Sequence, residues 1–166
     1  MKFLKIKSYA KINLSLNILG KLPSKLHRIE SLVCFAELHD LLYLRYINSN
    51  VHKVYFKGKH SKGISKKNTV TNLLKLLDKN QLLNKQKFEI KIEKNIPQKS
   101  GLGGGSMNAA NLIRYFLEKK LFKLKNEKIR NIIDIIGSDV ILGIDSKNTI
   151  LSSNRKLSRY KKKLNY

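Results

Sequence analysis

Residues 99–108 read KSGLGGGSMN, with glycines at 101, 103, 104 and 105. Glycine loses more backbone freedom on folding than any other residue and has no side chain to pack, so such a run does not belong inside a helix or strand. Its flanks say what it joins. In KFEIKIEKNIP, Phe88, Ile90 and Ile92 alternate with Glu89, Lys91 and Glu93, the period of a strand, which Pro97 ends. Beyond the glycines, Met107, Ala110, Ile113, Phe116, Leu117 and Leu121 recur at helical spacing. The run therefore links a strand to a helix start, where unpaired N–H groups and the positive end of the helix dipole attract anions. Without side chains in the way, such a backbone can approach phosphate oxygens closely. Ser106 is placed to cap the helix or to add a hydroxyl donor.

Two common phosphate motifs are excluded. No Gly-Lys-Ser/Thr follows, so the loop is not a Walker motif, and Ser106 occupies the position where a dinucleotide fingerprint needs its third glycine.

Elsewhere the pattern is mixed. In KINLSLNI, Ile12, Leu14, Leu16 and Ile18 alternate with Lys11, Asn13, Ser15 and Asn17, which predicts a half-buried strand with Lys11 and Asn13 sharing its polar face. LLYLRYI and VHKVYFKG flank Asn48-Ser49-Asn50 and read as a hairpin. Residues 57–67 read as a loop, and Val70, Leu73, Leu74 and Leu77 as a helix face. Ile129, Ile132, Ile133 and Ile136 predict a further helix stopped by Gly137, with a short strand at 149–151. Cys34, inside the apolar LVCF, reads as a core residue. Strands early and helices late give an α+β class rather than a regularly alternating parallel sheet.

The chain has 166 residues, enough for one domain with a real core. A single cysteine excludes a disulfide framework and fits a reducing cytoplasm. No apolar run approaches a membrane span, and the lysine-studded amino terminus lacks the core of a signal peptide. Thirty-five Lys+Arg against 11 Asp+Glu give a formal charge of +24. A nucleic-acid partner is one reading of that charge. The other is a compositional bias toward lysine, asparagine and isoleucine, with basic residues spread through the chain and one dense run, RYKKK, at 159–163. Either way an anionic small molecule would be drawn in.

IPQKSGLGGGSMNAA resembles the phosphate loop of the GHMP kinases, a family of small-molecule kinases. Three more stretches agree in order: YAKINLSLNILG with an opening strand, LHRIESLVCFAELHDLL with a substrate segment, and IGSDVILGI with a catalytic segment; Asn68 of NTV matches a helix-start asparagine. Among the branches, the resemblance is to enzymes of non-mevalonate isoprenoid biosynthesis that use ATP and Mg²⁺ to phosphorylate the 2-hydroxyl of a cytidine-diphosphate-linked methylerythritol. It implies Lys11 and Asp139 as the catalytic pair. It assigns ATP to Asn68 and to Pro97, Gln98, Lys99, Ser100, Gly101, Leu102, Gly103, Gly104, Gly105, Ser106 and Met107, and substrate to Asn13 and His27, with no metal-ligating side chains. The fold implied is one also used in a ribosomal protein, so a non-catalytic basic domain that binds RNA or DNA, or an ATP-binding remnant without transfer, are the alternatives.

The departures are specific. Lys25-Leu26-His27 stands where the family has Gly-Tyr-His, so the aromatic platform for cytosine is missing. Met107 replaces a serine and Ile141 a proline. The family also carries a second, carboxy-terminal α+β domain. The expectation is an ATP-binding domain over residues 1–155 and a basic tail over 156–166, with that second domain truncated or supplied as a separate half.

Overall fold

A computed structural model describes residues 2–21, 27–152 and 157–159. Its sheet is organised around two long strands, β1 (Leu4–Lys21) and β2 (His27–Ile47), paired antiparallel from Leu4↔Leu44 to Lys21↔His27. The other edge of β2 takes β4 (Lys87–Glu93) antiparallel at one end and β5 (Thr149–Leu151) at the other. β3 (Lys53–Lys57) lies parallel to β4, and β6 (Leu157–Arg159) extends the far edge from β5. The α+β class therefore holds, with four helices interspersed: α1 (Thr69–Lys79), α2 (Gly104–Glu118), α3 (Glu127–Ile136) and the short α4 (Val140–Gly143).

Two of the helices start at asparagine caps. Asn68 caps α1 by accepting from the N–H groups of Val70 and Thr71, while the Thr71 hydroxyl accepts from the Asn68 N–H, closing a reciprocal box. Asn126 caps α3 through the Lys128 N–H. α2 has no side-chain cap: Gly103, at φ 67°, precedes it, so Ser106 is its third residue and does not cap it as expected.

The core lies between the proximal sheet and the helices. Leu42, Leu44, Phe88, Ile90 and Ile92 meet Leu73, Leu74 and Leu77 of α1, Ala109, Leu112, Ile113 and Phe116 of α2, and Ile129, Ile132 and Ile133 of α3. Burial of each large side chain contributes ~1.5–3 kcal/mol. Gly143 lets α4 approach α2, since a Cβ there would stand 2.7 Å from Met107 Sδ and 2.8 Å from Ala110 Cβ.

Four expectations are corrected. β2 and β3 form no hairpin, because β4 is inserted between them and pairs with both. The apolar residues of KINLSLNI do not face a core: Leu14, Leu16 and Ile18 are exposed, and register shifts at 9/11 and 13/15 rotate the ribbon so that Lys11 is the buried residue. Cys34 is only half-buried, and partial burial pushes its thiol pKa up. Residues 157–159 of the expected tail form β6, where Arg159 pairs with Asp145 at 2.9 Å and donates to Thr149 Oγ1. The rest of RYKKK, from residue 160, lies outside the described residues.

Candidate active site

The opening strand and the glycine loop dock directly. The Lys11 N–H donates to the Leu102 carbonyl at 3.0 Å, and the aliphatic stem of Lys11 lies beneath Gly103. A Cβ on Gly103 would meet Lys11 Cγ at 2.7 Å, and its left-handed φ disfavours any side chain. Gly103 is thus demanded by the lysine as much as by any ligand. Gly104 and Gly105 are crowded as well: a Cβ would stand 3.1 Å from Lys94 Nζ on the first and 3.0 Å from Thr69 Oγ1 on the second.

Lys11 ends at the expected partner. Its Nζ is 3.1 Å from Asp139 Oδ2 and donates to Asn13 Oδ1 at 2.5 Å. Asn13 is in turn oriented, since its Nδ2 donates to Ser31 Oγ at 2.7 Å and Ser31 donates to the Ser15 carbonyl at 2.6 Å. Both ends of the Asn13 carboxamide are therefore engaged within the protein. Asp139 sits at the start of α4 but makes no capping hydrogen bond, which leaves its carboxylate to the lysine. The Lys11 side chain is 9% exposed and that of Asp139 35%, so the ammonium is held inside the fold while the carboxylate stays open to solvent. The turn carrying Asp139 abuts the loop: a Cβ on Gly137 would lie 3.5 Å from Ser106 Oγ.

A cavity of about 370 Å³ opens onto Pro97, Gln98, Lys99, Ser100, Gly101, Gly103, Gly104, Gly105 and Ser106, with Asn68 at its rim; Lys11, Asn13 and Asp139 are not in its lining, and the pair adjoins it through Gly103, which rests on Lys11. Leu102 and Met107 are not part of its lining: the Leu102 carbonyl holds β1, and Met107 is fully buried in the core. The Gln98 side chain ties the loop to residues 60 and 62 by donating to both carbonyls at 2.8 Å. Asn68 lines the cavity while its side chain is spent on capping α1 and on the Ser65 carbonyl. The backbone of His27 pairs with Lys21, but its side chain lies outside the described residues.

Three residues of the site escape sequence reading: Asp40, Lys94 and Asn108. Lys94 and Asn108 line the cavity, and both join the fully buried Asp40 carboxylate. Lys94 Nζ and Asn108 Nδ2 donate to its Oδ2, and the N–H groups of Asn95 and Ile96 to its Oδ1. Lys94 is one of many lysines, so composition hides it. Asp40 had a signal, as an acidic residue set directly before the apolar run LLYL.

The chain is similar to known proteins in sequence and in fold. Residues 68–148 match the GHMP kinases N terminal domain. The chain is 54% identical over all 166 residues to 4-diphosphocytidyl-2-C-methyl-D-erythritol kinase of Pelagibacter ubique (strain HTCC1062), of which it covers 59%. A crystal structure of 4-(cytidine 5'-diphospho)-2C-methyl-D-erythritol kinase superposes with a TM-score of 0.70 at 21% identity, covering 95% of this chain and 55% of that one. Homoserine kinase from Cytophaga hutchinsonii gives a TM-score of 0.62 at 16% identity, covering 97% and 52%. The chain thus spans little more than half the length of these relatives. With the glycine loop, the opening strand and the turn at Asp139 in one place, the chain has the fold of the amino-terminal part of these kinases, and its residues 68–148 match the amino-terminal domain of the GHMP kinases.

Proposed function

We propose that this chain supplies the ATP-binding and catalytic part of a kinase that phosphorylates the 2-hydroxyl of 4-diphosphocytidyl-2-C-methyl-D-erythritol. The observation that carries the reading is the Lys11–Asp139 contact of 3.1 Å beside the glycine loop. An alkyl hydroxyl is a poor nucleophile, and a carboxylate within hydrogen-bond reach can take its proton as the oxygen attacks the γ-phosphorus. The bond from that phosphorus to the bridging oxygen breaks and ADP leaves. Asp139 is the base in this reading. Lys11, 3.1 Å from the carboxylate, orients it and steadies negative charge on the transferring group.

The bare amides at the start of α2 take the triphosphate. Asn13 acts by orienting Lys11, and His27 remains the substrate contact implied by the resemblance. Mg²⁺, when bound, neutralises phosphate charge. Among the described residues no three His, Cys, Asp or Glu side chains cluster as a ligand set. The Ser106 hydroxyl, which lines the cavity, is an oxygen donor of the kind that would hold Mg²⁺, while the Asp139 carboxylate stays with Lys11 as the base.

No helix among the described residues is long and apolar enough to cross a membrane. We place the reaction in the cytoplasm, where the lone Cys34 stays reduced, and assign residues 1–155 to the ATP-binding domain, to whose edge strand β5 the following β6 is added. In this reading the remainder of the relatives' length completes the cleft, within this gene product or as a separate half. The nucleic-acid alternative is not favoured, because such a binder has no use for the Lys11–Asp139 pair.

The test is phosphate transfer from ATP to the cytidylyl methylerythritol by the unaltered chain and by Asp139→Asn. The expected loss is about 10²–10⁴-fold, the usual worth of a positioned base. Equal rates would remove Asp139 from the mechanism.

A further inference from the structure

We propose that Asp40 is a positioning residue that sets the shape of the phosphate loop from beneath, a role that rests on the ATP-binding reading of that loop. Its carboxylate is fully buried and does not line the cavity, yet it collects donors from both sides of the loop. Asn95 and Ile96, whose N–H groups reach Oδ1 at 2.8 and 2.9 Å, lie on the approach from β4. Asn108, whose Nδ2 reaches Oδ2 at 2.9 Å, lies in the first turns of α2. One side chain on β2 therefore fixes the separation of the loop's two ends.

The fourth donor gives the arrangement its chemistry. Lys94 is 5% exposed and lines the cavity, and its ammonium sits 3.1 Å from where a Cβ on Gly104 would be, close under the start of α2. A buried ammonium is costly unless it is paired and hydrogen-bonded. Asp40 supplies the partner and at the same time fixes where the cation points, leaving further N–H groups of Lys94 for an anion in the cavity. Asn108 carries a matching sign of an incomplete site: its Oδ1 is buried with no partner, while its Nδ2 is committed to Asp40. A buried acceptor without a donor is costly unless a ligand or its hydration supplies one. Asp40 thus acts on the ligand through Lys94, Asn108 and the loop backbone.

The experiment compares the unaltered chain with Asp40→Asn, Lys94→Met and the double variant, using ATP, tripolyphosphate and adenosine as ligands. Folding is checked by circular dichroism, and the Gly101 and Gly103–Gly105 amide resonances are recorded without ligand. Asp40→Asn is expected to lower affinity for ATP and tripolyphosphate roughly 10-fold and to leave adenosine unchanged, because the charge it removes organises the phosphate contacts. The double variant should bind no worse than Asp40→Asn alone, the non-additivity expected of groups that act as a unit. A merely structural aspartate would lower thermal stability without this split between ligands.

Should Asp40→Asn fail to fold, Asn108→Ala keeps the Asp40–Lys94 pair and frees one side of the loop. It is expected to shift the glycine amides and to weaken ATP about 3-fold, as loss of a single hydrogen bond would. A folded variant at either position with unaltered glycine resonances and unaltered ATP affinity would overturn the proposal. If the unaltered chain binds no ATP, the functional reading fails by itself, and the ligand-free glycine resonances still decide whether Asp40 shapes the loop.

Discussion

The two ends of the β1–β2 ribbon carry the same apolar alternation and meet opposite fates. At the proximal end Leu42 and Leu44 of β2, with Ile90 and Ile92 of the adjoining β4, are buried under α1 and α2. At the distal end Leu14, Leu16 and Ile18 of β1 stand 43%, 54% and 63% exposed. Alternation states which side chains share a face; whether anything covers that face is decided by elements elsewhere in the chain. The boundary between the two regimes falls at Lys11, Asn13 and Ser31. There the strand register shifts, and the side chains turn from core packing to a polar chain that ends at Asp139. The candidate site occupies that seam, held by packed structure on one side and open on the other.

The sharpest way to break the comparison is to truncate one leucine from each end. Leu42→Ala should cost about 2–5 kcal/mol, the range for a large side chain removed from a packed core, whereas Leu16→Thr should stay within about 0.5 kcal/mol. Urea unfolding of both variants checks this, and equal losses would mean that the distal face is covered in solution.

At the seam itself, Gly103→Ala should be next in size. A left-handed φ of 67° and a Cβ 2.7 Å from Lys11 Cγ predict a loss of ~1–2 kcal/mol of stability and a displaced Lys11. The same unfolding measurement reads the first effect, and the loss of phosphate transfer reads the second. Unchanged stability and rate would show that the loop and β1 are not in contact.

A smaller effect belongs to the outer edge of the proximal half. Burial pushes the His52 pKa down, against the pull of Asp78, whose Oδ2 lies 3.2 Å from Nε2. Its Nδ1 accepts the Phe88 N–H at 3.1 Å, which requires that nitrogen to be unprotonated, and the ring stacks on Phe88. The unfolded chain therefore binds the proton more readily than the folded one. Stability from this group is complete above the ordinary histidine pKa of about 6.5 and is lost as pH falls below it. The melting temperature should fall more between pH 7.5 and 5.5 for the unaltered chain than for His52→Gln. Parallel declines would assign the acid sensitivity elsewhere.

What the sequence disclosed and what it hid divide along the same physical line. The glycine run was legible as a strand-to-helix link because the alternation before it and the helical spacing after it are local, whereas Lys11 and Asp139 were singled out only through the resemblance of their stretches to a family. The helix face at Val70–Leu77 and the strand at 149–151 were legible from local pattern as well. The hairpin at Asn48-Ser49-Asn50 was not, because β4 arrives later in the chain and separates strands that local turn chemistry would have joined. Ser106 was misplaced because a left-handed glycine starts α2 without a side-chain cap. Lys94 stayed hidden among identical neighbours until Asp40 and Asn108, remote from it in sequence, gave it an environment.

The central claim is that the glycine loop holds a triphosphate with Lys11 and Asp139 beside it. The most direct measurement is a titration of the isotopically labelled chain with ATP and Mg²⁺, following the backbone amides of Lys11, Gly101, Gly103–Gly105 and Asp139 together. Saturable shifts confined to those amides and their neighbours are the expected result. Unmoved loop glycines at millimolar ATP, or shifts that spare Lys11 and Asp139, would contradict it.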